Sequence, residues 1–99
     1  MSKLKYFQAL RAEQLNHEIK AMQYELDYYQ LGARDDYWLE RSKRCFQDGW
    51  AISDAIKSVF GEKYYEDTDL HDANTRLLHQ WCELYFQVKD LKEKEELQS

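Results

Sequence analysis

The stretch "RCFQDGWAISDAI", residues 44–56, decides how many helices the chain has. Asp48-Gly49 is a common turn pair, and a turn there would split the middle of the chain. The flanking residues keep another rhythm. Trp38, Ser42, Cys45, Gly49, Ile52, Ile56 and Val59 are separated by alternating steps of four and three, the spacing that lines one face of a helix. A break at Gly49 would make that shared register a coincidence, so the spacing predicts one helix from about 35 to 60. Glycine inside a helix costs about 1 kcal/mol relative to alanine, and a closely approaching neighbour offsets such a cost. Ser42, Cys45 and Gly49 are all small, and they predict a notch that admits another helix at mid-length.

Working outward, the first third carries Ala12, Leu15, Ile19, Met22, Leu26 and Tyr29 at the same alternating spacing. Gly32 suits the left-handed position just beyond a helix end. In the last third Leu70, Ala73, Leu77, Trp81, Leu84, Val88 and Leu91 form a third stripe. Thr68 or Asp67 can cap its start, while Glu93, Glu95 and Glu96 oppose the helix dipole and predict fraying at its end. The expected fold is all-α: one domain over residues 1–99, with helices at about 3–31, 35–60 and 68–95. Short links favour antiparallel neighbours, which gives an up-down-up, coiled-coil-like bundle about 40 Å long at about 1.5 Å per residue. A first turn near residue 33 sets Met22 beside Arg44 and Cys45, with Leu15 near Ile52 and Leu10 near Ile56. A second turn near residue 64 sets Cys45 opposite Cys82, Gly49 opposite His79 and Ile52 opposite Leu77. In that arrangement the second helix lies between the other two.

Composition agrees with a helical reading and narrows the function classes. The 99 residues include no proline and only three glycines, whereas many-turned β folds draw heavily on both. No apolar run is long enough to span a bilayer, and the first residues lack the apolar core of a secretion signal. Two cysteines without such a signal point to reduced thiols in the cytoplasm. Gly49-Trp50 lies inside a helix and in the wrong order for the Trp-x-Gly turn of small secreted helical proteins, so no family follows from it.

Candidate sites are few. His79-x-x-Cys82 shares one helix face, and with Cys45 expected opposite it makes a candidate zinc set. Lacking paired knuckle spacing, Cys45 and Cys82 are better read as small packing residues, and no metal or other cofactor is expected. Nothing resembles an oxyanion site or a phosphate-cradling loop, so no enzyme is expected. The formal net charge of −5 lies in the last third, densest around Glu66, Asp67, Asp69 and Asp72. That segment supports an alternative reading as an acidic nucleic-acid mimic, in the manner of a phage-type inhibitor. Arg41, Lys43 and Arg44 form the one basic cluster, but interleaved acids weaken phosphate attraction, so direct nucleic-acid binding is not expected. Leu39, Phe46 and Trp50 cluster on a flank roughly 110° from the main stripe of their helix, at 100° per residue. They form the expected partner surface, because tyrosine and tryptophan are enriched in interfaces, or else the edge of the wide apolar arc that a middle helix with two neighbours needs. The expected role is protein–protein contact as an adaptor, assembly factor or inhibitor of a larger protein. A homodimer through that flank, with Trp50 as anchor, is expected as well.

Overall fold

The computed structural model describes residues 3–30, 36–61 and 74–98, each stretch being one helix, with Gly61 and Asn74 at helix boundaries. Helix α1 spans Lys3–Gln30, α2 spans Asp36–Phe60 and α3 spans Thr75–Gln98. The second helix runs unbroken through Gly49. Asp36 in its first turn and Lys57 in its last each carry the charge that the helix dipole favours at that end. It stops at Gly61, whose φ of +85° is the left-handed conformation that a residue without a Cβ adopts at little cost. The Gly61 amide donates to the Lys57 carbonyl at 2.9 Å, closing the last turn. Gly32 and the caps expected at Asp67 and Thr68 lie outside the described residues.

Ring contacts fix the first hairpin as antiparallel. Phe7 meets Phe60 edge-on at 5.7 Å, and Tyr24 meets Trp38 at 5.9 Å, so residues near one end of α1 face the opposite end of α2. The third helix runs parallel to α1. Asn74 Nδ2 donates to the Gln8 carbonyl at 3.1 Å, and Lys92 Nζ lies 2.8 Å from Glu25 Oε2. These directions give an up-down-up bundle measuring 49 × 21 × 18 Å.

The central helix is α1, where the sequence spacing had placed the second. Helix α1 packs against both α2 and α3, while no Cα of α2 comes within 8 Å of a Cα of α3. The expected pairs Cys45–Cys82, Gly49–His79 and Ile52–Leu77 are therefore not formed. The reason lies on α1, which buries two rows. Phe7, Gln14 and Ala21 form one, and Leu15, Ile19 and Met22 form the other. At 100° per residue the rows stand roughly 100° apart. A close-packed triangle of helices would need about 60°, so the wider angle sets α2 and α3 about 15 Å apart, against the 8–10 Å of packed helices.

Two apolar clusters follow the two rows. Phe7, Ile56 and Phe60 close one end of the α1–α2 pair, with Leu10 and Ile52 against them. Ile19 and Met22 of α1 join Leu84 and Val88 of α3 in the second, and Phe46 reaches it from α2. Of the middle-helix stripe, Ser42, Gly49 and Ile56 are buried, whereas Val59 is exposed and its neighbour Phe60 takes the core position.

Gly49 is the notch, and its neighbour is α1. A Cβ at that position would lie 3.0 Å from Glu18 Cγ, 3.4 Å from the Gln14 carbonyl oxygen and 3.6 Å from His17 Cβ. The nearest group is a side chain that can shift, while the next is fixed helix backbone. Gly49→Ala should therefore leave stability nearly unchanged, because about 1 kcal/mol of helix propensity offsets the displaced Glu18. Gly49→Leu should drive into the α1 backbone and destabilise by about 1–3 kcal/mol. Urea denaturation of the two variants checks this, and a leucine variant as stable as the parent would exclude the notch.

Candidate functional site

Because the outer helices stand apart, a groove of about 490 Å³ opens between them. Met22 and Glu25 of α1 line it from below, Phe46 of α2 from one side, and Trp81, Tyr85 and Val88 of α3 from the other. The aromatic residues form two stacks, one on each wall. Phe46 stacks on Trp50 at 6.0 Å with 25° between the planes. Trp81 stacks on Tyr85 at 5.2 Å and 7°, and Tyr85 meets Phe86 edge-on at 5.5 Å. Helical spacing explains the Trp81–Tyr85 and Phe46–Trp50 stacks, since residues four apart are neighbours on a helix surface. Trp50 is 56%, Tyr85 42% and Phe86 60% exposed, so three of these rings present large apolar area to solvent. Trp81 Nε1 is buried with no hydrogen-bond partner among the described residues.

The flank singled out from sequence is divided by this arrangement. Leu39 and Phe46 are half-buried, and only Trp50 stands open. Phe46 serves the core by reaching the cluster of α1 and α3. Tyr85 and Phe86 belong to α3, and no sequence spacing joins them to Trp50 of α2. The missing link was the parallel pairing of α1 with α3, which brings distant segments to one groove.

The polar side of the groove belongs mostly to α3. Lys89, Lys92, Glu93 and Glu96 line it together with Glu25. Burial works against the charge of Lys92, but the Glu25 hydrogen bond and charge outweigh it, with smaller contributions from Tyr29 and Tyr85. The ammonium is held above its ordinary value of 10.5. Glu25 itself is buried, so the pair joins a shielded carboxylate to a half-exposed lysine.

The other candidates lie apart. Cys45 is half-buried in a second cleft, of about 360 Å³, between α1 and α2. Cys82 and His79 are exposed on α3. With α2 and α3 separated, the three do not converge, and the described residues contain no group of three side chains able to hold a metal ion. The Cys45 cleft has Lys20, Arg41 and Arg44 on its walls together with Glu13 and Asp48, so both signs of charge line it. Arg41 lies 4.8 Å over the Tyr37 ring, a cation–π contact on the surface. Glu66, Asp67, Asp69 and Asp72 lie outside the described residues. No described helix is long and apolar enough to cross a membrane. Comparison with protein-family models, with curated proteins and with solved structures gave no match.

The Lys92–Glu25 pair makes a testable statement about stability. Lys92→Met leaves a buried carboxylate without its partner and should cost about 1–3 kcal/mol, toward the lower end because Lys92 is half-exposed. Glu25→Gln combined with Lys92→Met should recover part of that loss. The sign with pH follows from the raised lysine value. Its contribution is fully present below the ordinary lysine value and is lost as pH rises through the higher folded value. Denaturant midpoints from neutral pH to above the lysine range should fall more steeply for the parent than for Lys92→Met.

Proposed function

We propose that this chain works by protein–protein contact, as an adaptor, assembly factor or inhibitor, and that the groove between α2 and α3 is its docking face. The observation that carries the reading is the gap between the outer helices. A three-helix bundle that buried its aromatics for stability alone would close α2 onto α3. Here Phe46, Trp81 and Tyr85 line an open groove, with the exposed rings of Trp50 and Phe86 packed beside Phe46 and Tyr85. Apolar exposure rimmed by charge marks contact surfaces more often than bare solvent faces. The role is one of binding, without catalysis. The thiols of Cys45 and Cys82 are both free, as suits a reducing compartment, and the proposed location is the cytoplasm.

Photo-crosslinking in the source cells tests the face. A photoreactive phenylalanine analogue at Trp50 or Phe86 should yield discrete protein adducts. The same analogue at Lys43, exposed among the basic residues of α2, should not. Adducts that form equally at all three positions, or at none, would remove the groove from the proposal.

A further inference from the structure

We infer that the first occupant of the docking face is a second copy of this chain, held by an antiparallel α3–α3 contact whose two-fold axis passes at the height of Leu91, on the face of α3 opposite that side chain. The inference rests on the docking reading above and names its partner. Tyr85, Lys89, Glu93 and Leu97 are four residues apart in turn, so they form one ridge along α3. All four are exposed, Tyr85 at 42% and Leu97 at 86%. Tyr85, Lys89 and Glu93 also line the groove.

The ridge is complementary to its own reverse. When two α3 helices run antiparallel about Leu91, Tyr85 of one copy faces Leu97 of the other, and Lys89 faces Glu93. A two-fold axis makes each of these contacts twice. The charges are available for such pairing. The ion pair beside them joins Lys92 to Glu25, and neither Lys89 nor Glu93 has an ion-pair partner within 4 Å among the described residues. A lysine four residues before a glutamate is also the less favourable order for pairing within one helix. Leu97 has no core position to return to at its level of exposure. Across the two-fold it would seat against Tyr85 at the mouth of the groove that Phe46 also lines. A foreign partner could supply a leucine and opposite charges too, but it would need the same order of residues that α3 already carries.

The expected dimer differs from one built on the α2 flank, because Trp50 lies off the ridge. Sedimentation equilibrium of the full chain, with helicity checked by circular dichroism, reads the difference. The parent should dimerise in the micromolar range. Lys89→Glu, or Glu93→Lys, should each weaken the dimer on the order of 10-fold or more, because each sets like charges opposite one another twice. The double exchange Lys89→Glu with Glu93→Lys should restore it. Mixing the two single variants should give a heterodimer, since each then presents the charges the other lacks. Leu97→Glu should abolish association, and Lys43→Ala, exposed on α2 away from the groove, should leave it intact. A parent that stays monomeric at high micromolar concentration overturns the inference. So does a dimer indifferent to both Lys89→Glu and Leu97→Glu. Failure here is separable from failure of the docking face, because crosslinks from Trp50 to another protein can persist in a monomer.

Discussion

Everything in this bundle depends on α1 being buried along two rows at once. A helix that meets one neighbour needs a single apolar stripe, and its other residues are free to be polar. Helix α1 meets two, and its buried set includes Gln14 and Glu25 beside Phe7, Leu15, Ile19, Ala21 and Met22. Polar residues inside such a contact are tolerated when they are partnered. Arg11 donates to Gln14 Oε1 at 2.8 Å, and Lys92 meets Glu25. The angle between the two rows then decides where α2 and α3 go, and its width keeps their backbones apart.

The separation has opposite consequences on the two sides of α1. Toward α2 the contact is close, because Gly49 lets the helices approach until a Cβ would have to displace Glu18. Ser42, also on that face, is buried with no hydrogen-bond partner for its hydroxyl among the described residues, a sign that small size governs the position. Toward the gap, bulk replaces smallness. Phe46 extends from α2 to the cluster of α1 and α3, and Trp81 with Tyr85 forms the opposite wall. One long aromatic therefore does from the side what backbone contact would do in a closed triangle.

Much of this was legible in the residues, and the part that was not has a definite cause. The seven-position stripe read through Gly49 correctly, and the first hairpin register follows from a short link, so Tyr24 meets Trp38 as antiparallel pairing requires. The stripes of Leu15, Ile19 and Met22 and of Leu84 and Val88 also reach the core. The second row on α1 was hidden because its members are a phenylalanine, a glutamine and an alanine spaced seven apart. Only one of those three reads as a large apolar residue. Without that row, chain order put the second helix in the middle, and the pairing of Cys45 with Cys82 followed from the wrong neighbour. The groove was illegible for the same reason, since its walls come from helices whose backbones do not approach one another. The third helix also continues to Gln98, past the end that its acidic last turns suggested.

The placement of α3 shows why apolar area alone would not have specified this surface. Leucine, valine and methionine rows can slide along one another by a helical turn, about 5.4 Å, and bury similar area, so hydrophobic contact is a poor guardian of register. Two polar contacts remove that freedom here. Asn74 is buried and bound to the Gln8 carbonyl near the start of α3, and Lys92 is bound to Glu25 near its end. A slide of one turn would leave a buried amide and a buried carboxylate unpartnered together, and each loss costs more than the bond is worth when made. The two ties are eighteen residues apart along α3, so they fix rotation as well as height. With rotation fixed, Trp81, Leu84 and Val88 face inward, and the ridge of Tyr85, Lys89, Glu93 and Leu97 must face out. The outward charge pattern of α3 is thus set by polar contacts on its inward side.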